Sequence, residues 1–497
     1  MKTETLRMER VTYKEQGNVC LDNFSMTIRT GEVFGLVPVN HYGLNSLLKL
    51  LKQNLPLHYG YVYYREKLVN QWKRHQNTTN RISVIQSKSC LAEDLSVADN
   101  IFVLRAGFKK WLIKPQVLQK QLQPFLEEIG MKIDANAYID ELSAFECFVV
   151  ELLKAVVSGN RLIVLVDIST FISESELVKL HEIIRYYAGK GISFLYITAH
   201  FEEAKQRCDK TALMVNGQII KCFETRENIP DTFSLESVED YDRWVRQQLS
   251  ATEENQNRQA VFETSRLYYG SMRDLNIRVF PGECMVLQDL DNKIFKDLIA
   301  LFQGEKPDSG QILLQGNVFS SCEDRRIAII QELPTESMLF PRMSYMDNLC
   351  FNMDHRFKRV WTTGGIRKSI INEYGDLLGK EVFQCKVEKL SQKQKYDLVY
   401  TRILLQNPKV VFCVQPFKSA EVSIRSHIWE LLERFLDRNI AVVILAVNLA
   451  DSLALADKLI RIKHGKVQEI YDKEEFIKLP VNTPWLYLYQ EKYAKNE

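Results

Sequence analysis

Short apolar runs that do not alternate with polar residues recur along this chain: "LIVLV" at 162–166, "ISFLYI" at 192–197, "KVVFCV" at 409–414 and "AVVILAV" at 441–447. Runs of that kind suit strands covered on both faces, and the segments between them carry helical periodicity, so the pattern predicts an α/β protein with a parallel sheet flanked by helices. The stretch "GLVPVNHYGLNSLLKLL" at 35–51 passes from an apolar strand through a short turn into an amphipathic helix. That is the layout of a loop that cradles phosphates. Leu44, Leu47, Leu48 and Leu51 fall at i, i+3, i+4 and i+7, which predicts a core-facing stripe.

The pattern occurs twice. "SVADN" at 96–100 corresponds to "SYMDN" at 344–348, an offset of 248 that also carries Leu142-Ser143 onto Leu390-Ser391, Asp209-Lys210 onto Asp457-Lys458 and Gly217 onto Gly465. Upstream the offset drifts: "RISVIQ" at 81–86 matches "RIAIIQ" at 326–331, and Gly31-Glu32 matches Gly282-Glu283. Copies of about 240 residues are too long for solenoid units and are whole domains in tandem. The expected division is a first domain at 1–235, a closing helix with Trp244 and a polar linker at 236–259, and a second domain at 260–497 that ends in the aromatic tail "PWLYLYQEKY".

Composition narrows the classes. With 46% hydrophobic and 26% charged residues among 497, the chain can bury two or three cores. A net charge of +2 without a basic block argues against a nucleic-acid partner. Ten cysteines without a C-x-x-C pair predict buried thiols in a reducing compartment and no structural metal. No apolar run approaches the roughly 18 to 20 residues of a membrane span, so the expected location is cytoplasmic, peripheral if membrane-associated.

The order of these elements resembles the tandem ATP-binding subunits of ABC importers for sugars of the ribose, galactose and xylose type. The resemblance rests on "TGEVFGLV" before the loop, "VIQSKSCLAEDLSVADNIFV" as a Gln loop, "ELSAFECFVVELLKAV" at the signature helix, "LIVLVDISTFISESE" at the Walker B strand and "CDKTALMVNGQII" at the close, with a second set including "LSQKQKYDLVYTRILLQNPKVVFCVQP". It implies two P-loop NTPase-like nucleotide-binding domains, each with a helical subdomain. It also implies ATP and magnesium as cofactors, sugar-permease transmembrane subunits as partners, a solute-binding protein in the same system, and a peripheral position at the inner face of the cell membrane.

Measured against that family, the phosphate loop departs from its pattern. Pro38, Val39, Asn40, His41, Tyr42, Gly43, Leu44, Asn45 and Ser46 stand where the family has G-x-N-G-A-G-K-S-T. Two of three glycines are gone, and a β-carbon disfavours the left-handed conformations of such loops by roughly 1–2 kcal/mol per residue. Leu44 replaces the lysine whose charge-assisted bonds to phosphate are worth about 1.5–3 kcal/mol each. The second copy has "DLDNKIFKD" at 289–297, with Phe295 in the lysine position; its Asp289, Asp291 and Asp297 are expected to face phosphate with like charge, and Lys293 and Lys296 to be solvated.

By the same resemblance Val166 stands at the Walker B aspartate and Asp167 at the catalytic glutamate, with Val414 and Gln415 in the second copy. Asp167 reads equally as a residual polar group or a strand-end carboxylate, while Gln415 cannot accept a proton as a general base. The switch histidine falls on Ala199 and Val447, with an exposed His200 one place late. The signatures read "LSAFE" and "LSQKQ", having lost both glycines. No metal ligands are assigned. Asn40, Gly43, Ser46, Gln86 and Gln331 are the remaining candidates for contact with nucleotide, each with a packing or loop-bonding alternative. Tyr13 reads as a strand aromatic more readily than as an adenine stack. Ser96 and Ser344, followed by Asp99 and Asp347, read as helix caps lying where the family meets its permease.

Three functions are therefore weighed. One is a docking or regulatory cassette without hydrolysis, which the correlated losses favour. The second is a working or weak ATPase energising carbohydrate import, which needs the missing groups from elsewhere. The third is the same fold turned to a different ligand.

Overall fold

The computed structural model describes residues 3–15, 17–74, 78–102, 115–224, 259–319, 324–351, 364–418 and 420–479. Trp244, the polar linker and the aromatic tail lie outside them. The described residues divide into two compact units, one up to residue 224 and one from residue 259.

In the first unit, β1 (Glu4–Glu15) pairs antiparallel with β2 (Asn18–Arg29), followed by β3 (Val33–Pro38), α1 (Leu44–Lys52), β4 (Tyr59–Tyr64), β5 (Lys67–Gln71) and β6 (Ile82–Ile85). Then come α2 (Val97–Phe102), α3 (Pro115–Glu128), α4 (Ala144–Val157), β7 (Leu162–Val166), α5 (Glu174–Gly189), β8 (Ser193–Ile197), α6 (Phe201–Arg207), β9 (Lys210–Val215) and β10 (Gln218–Glu224). A four-stranded sheet runs β2-β1-β4-β5, and a six-stranded sheet runs β10-β9-β3-β8-β7-β6. From β9 to β6 every pairing is parallel, and the continuous apolar runs supply its centre, as their pattern predicts.

The second unit repeats this arrangement with β11 (Phe262–Tyr269), β12 (Met272–Val279), β13 (Cys284–Asp289), α7 (Ile294–Phe302), β14 (Ser309–Leu314), β15 (Asn317–Val318) and β16 (Ile327–Ile330). It continues through α8 (Pro334–Ser337), α9 (Tyr345–Leu349), α10 (Gly364–Leu378), α11 (Gln392–Gln406), β17 (Val410–Val414), α12 (Val422–Asp437), β18 (Ala441–Ala446), β19 (Lys458–Lys463) and β20 (Lys466–Asp472). Its six-stranded sheet, β16-β17-β18-β13-β19-β20, matches the first strand for strand. One core in each unit joins the antiparallel sheet, the helix after the loop and one face of the parallel sheet.

On α1 the buried stripe differs by one position from the expected set. Leu44, Leu47, Leu50 and Leu51 are buried and Leu48 only partly so, because the helix drives a wedge between β1–β2 and the parallel sheet and is covered on two sides. The cysteines need a similar correction. Cys208, Cys284 and Cys413 are buried, but Cys90 and Cys222 are exposed on loop and edge strand.

Candidate functional site

In the first unit the candidate loop links β3 to α1, and its polar groups are already engaged inside the fold. The Val39 amide donates to the Met214 carbonyl on β9 (2.9 Å). Asn40 uses both ends of its side chain on Asn216: Nδ2 donates to its Oδ1 (2.9 Å), and Oδ1 accepts from its amide (3.2 Å). Tyr42 donates its hydroxyl to the Val19 carbonyl (2.8 Å). Gly43 is left-handed (φ 81°) and lies so close to β2 that a β-carbon would stand 2.2 Å from the Cys20 carbonyl oxygen.

Beyond the loop, Ser46 donates to Glu15 at the end of β1 (3.1 Å), and Lys49 pairs with the other oxygen of that carboxylate (2.5 Å). The Lys49 and Ser46 bonds hold the Glu15 carboxyl below the usual range. Leu44, at the lysine position, is 6% exposed and part of the core. Tyr13 is also a core residue, which removes it from any stacking surface.

The second unit's loop corrects the expectation that three aspartates face a phosphate. Asp289 ends β13 fully buried and turns back into its own loop. Oδ1 accepts from the Asp291 amide (3.1 Å), and Oδ2 accepts from the Lys293 (2.6 Å) and Ile294 (2.7 Å) amides. The loop thus closes around its own carboxylate. Burial raises the Asp289 pKa, and the three amides pull against that.

Asp291 accepts from the amide of His464 in the turn after β19, the contact that Asn40 makes with Asn216 in the first unit. Asp297 accepts from the Ser271 amide (2.6 Å) and hydroxyl at the β11–β12 turn. Each aspartate therefore answers donors of its own fold. Phe295, at the lysine position, is 5% exposed within the core, while Lys293 and Lys296 are exposed as expected.

The turns after β7 and β17 superpose in chemistry as well as in sequence. Asp167 and Gln415 are both left-handed (φ 47° and 44°), and their amides donate to Ile197 (2.9 Å) and Leu445 (2.8 Å) carbonyls. Asp167 is half-buried; Gln415 is 9% exposed and its buried Oε1 has no hydrogen-bond partner among the described residues. Ala199 and Val447 follow the neighbouring strands as buried apolar residues. His200, expected to be exposed, is half-buried at the start of α6. Gln86 and Gln331 are exposed just past β6 and β16. The structure does not bring either beside the loop residues through any hydrogen bond among the described residues.

A polar cluster that the sequence reading missed lies next to Asp167. Glu203 on α6 is 2% exposed and accepts from three hydroxyls: Tyr196 (2.5 Å), Thr198 (2.8 Å) and Ser169 (2.9 Å). It ties together the ends of β7 and β8. In the second unit the matching positions hold Phe417, Ile444, Ala446 and Asp451, and Asp451 instead pairs with the buried Arg425 (3.3 Å). Small hydroxyls at two strand ends and a glutamate in the next helix were the available sign.

Burial raises the Glu203 pKa above the glutamate value of 4.5. A carboxyl that holds its proton more tightly when folded contributes most stability at low pH, and that contribution is lost as pH rises through its folded-state pKa. Glu203→Gln, which cannot ionise, should therefore flatten the fall in melting temperature as pH rises above the ordinary glutamate range in scanning calorimetry, whatever the loss of hydroxyl bonds does to its absolute value. An unchanged slope would show that Glu203 is not the group responsible.

The signature positions are helix caps. Ser143 Oγ accepts from the Glu146 amide (3.2 Å) while Glu146 accepts from the Ser143 amide (2.8 Å), and Ser391 with Gln394 repeats the reciprocal pair (3.3 and 2.9 Å). Ser96 and Ser344 likewise accept from the amides of Asp99 (3.2 Å) and Asp347 (3.1 Å). Asn100 and Asn348, both fully buried, each accept from the amide and donate to the carbonyl of one residue in the preceding loop, Asn100 at Ala92 and Asn348 at Phe340.

Known proteins resemble this chain along nearly its whole length. The ABC transporter family model matches residues 21–167. The ribose import ATP-binding protein of Bacillus cereus is 23% identical over 494 residues, covering 95% of this chain and 96% of its own. The xylose import ATP-binding protein of Moorella thermoacetica is 22% identical over 497 residues, with 95% and 96% covered. A solved ATP-binding cassette of an ABC transporter, in its ADP conformation, is 21% identical, with a TM-score of 0.39 over 44% of this chain and 91% of its own.

The fold is two tandem ABC-type nucleotide-binding domains of the P-loop NTPase-like α/β class. The chain is homologous, over nearly its whole length, to tandem ATP-binding proteins of ribose and xylose import.

Proposed function

We propose that this chain is a cassette of the sugar-import type that does not hydrolyse ATP and acts by docking on, or regulating, a permease. The observation that carries the reading is Asp289, whose carboxylate takes three backbone amides of the second unit's phosphate-loop position. A phosphate entering there must displace a covalently attached anion and meet its charge. Supporting features point the same way. Both lysine positions are buried apolar residues. Asn40 and Ser46 are bonded to Asn216 and Glu15. The general-base position of the second unit is an amide. These residues do not fit ATP and magnesium, and no step of a hydrolytic reaction is assigned to them.

What endures is the apparatus around the Gln loops, held by Asn100 and Asn348 in matching bonds. Family members use that region to meet transmembrane subunits, so its retention supports docking to a sugar permease, with a solute-binding protein in the same assembly. On this reading the chain sits peripherally at the inner face of the membrane; no described helix is long and apolar enough to cross one. The proposed domain limits remain 1–235 and 260–497, joined by 236–259.

Equilibrium titration of the full chain with a fluorescent ATP analogue and magnesium tests the reading. No saturable, magnesium-dependent binding is expected below about 1 mM, and no phosphate release above the buffer control. Submillimolar binding with turnover that Asp167→Asn abolishes would overturn it.

A further inference from the structure

The second unit holds a cavity of about 500 Å³ between the C-terminal half of α11, the edge strand β16 and the segment around Met338. Arg402 forms part of its wall. The side chain is 5% exposed; one terminal nitrogen donates to the Met338 carbonyl (2.7 Å), and the other, Nη1, is buried with no hydrogen-bond partner among the described residues. No carboxylate is paired with it among the described residues. A guanidinium does not give up its proton, so this largely buried charge lacks an anionic partner among the described residues, a costly state unless something supplies one.

The first unit shows what is missing. Its matching cleft, about 460 Å³, has Lys154 in place of Arg402 and Glu151 one helical turn earlier. Glu151 is 7% exposed, accepts from the Ser89 hydroxyl and the Cys90 amide (both 2.6 Å), and feels the charge of Lys154. In the second unit the position of Glu151 is Val399. The internal anion has gone while the cation has stayed.

The rest of the wall defines what would fit. Phe340 and Phe351 stand with ring centroids 4.6 Å apart, each 40% exposed, and Phe302 meets Phe319 edge-on at 6.3 Å. Asp324 also lines the space, but Arg326 grips both its oxygens (2.9 and 2.6 Å) and neutralises it. One positive charge without an anionic partner among the described residues, together with aromatic walls, suits a singly charged ligand with an apolar body, and the volume lies in the range of small-molecule sites.

We infer that this cavity binds a small organic monocarboxylic acid, with the carboxylate on Arg402 and an aromatic or branched apolar body against Phe340 and Phe351. The inference does not depend on the fate of the nucleotide sites.

Calorimetric titration of the full chain with 3-phenylpropionate and with its neutral amide tests it. The acid should bind saturably and about tenfold or more tighter than the amide, as a charge-assisted pair requires. Arg402→Gln should bring the two to the same affinity. Phe340→Ala, at a partly exposed position whose loss leaves the core intact, should weaken acid and amide by a similar factor. The wild-type ratio and the Phe340→Ala result decide the matter even if the arginine variant does not fold. An acid that binds no tighter than its amide, no saturable binding up to about 10 mM, or an acid affinity unchanged in either variant would overturn the proposal.

Discussion

Asp289→Gly will lower the stability of the second unit and make that unit responsive to inorganic phosphate. The wild-type carboxylate accepts from the amides of Asp291, Lys293 and Ile294 at 3.1, 2.6 and 2.7 Å. Hydrogen bonds to a charged group contribute about 1.5–3 kcal/mol each, and three that share one group do not add in full. Water entering the vacated loop offsets some of the loss. A net destabilisation of about 3–5 kcal/mol is expected in urea unfolding. The amides would then converge on empty space, which a dianion can occupy from outside. Phosphate at tens of millimolar should recover part of the lost stability by mass action in the glycine variant, and should have no anion-specific effect on wild type. Equal stability of the two proteins would show that the carboxylate does not hold the loop.

The second large effect concerns Gly43, the glycine that the family pattern assigns to phosphate. Its φ of 81° disfavours any side chain, and an added β-carbon would stand 2.2 Å from the Cys20 carbonyl and 3.1 Å from the Gly217 α-carbon. Neither neighbour is the end of a flexible side chain, so the backbone must move. Gly43→Ala should destabilise the first unit by about 3–5 kcal/mol, with or without nucleotide. Gly130→Ala serves as control: it has a similar φ of 62° but nothing within 4 Å, so only the intrinsic cost of about 1–2 kcal/mol applies. Similar losses at the two sites would show that contact with β2 is not what fixes Gly43.

The α/β class could be read directly from the chain because β7, β8, β17 and β18 are continuous apolar runs, and sheet burial on both faces leaves few other ways to write them. The tandem repeat was equally visible, since strand order and turn contacts are the same in both units. The helix starts at Ser96 and Ser344 were legible because a cap needs particular residue types three apart, whereas Ser143 and Ser391 read as signature remnants and only the structure shows them as caps.

Side-chain direction within the loops was not legible. The residues at Asp289, Asp291 and Asp297 were evident; that each turns toward a different set of internal donors depends on where β11–β12 and the turn after β19 lie, which no local pattern encodes. Leu50 was missed for Leu48 because a helix wedged between two sheets buries more than one stripe. Glu203 stayed hidden because its three hydroxyl partners are contributed by the ends of two strands distant in sequence, β7 and β8.

The two asparagines that close the Gln loops have a mechanical consequence. Asn100 and Asn348 each bind the loop on one side and their own helix start on the other, so loop and helix form a single rigid strut in each unit. A pull applied to either loop would pass straight into the helix start beside it, because the same asparagine grips both.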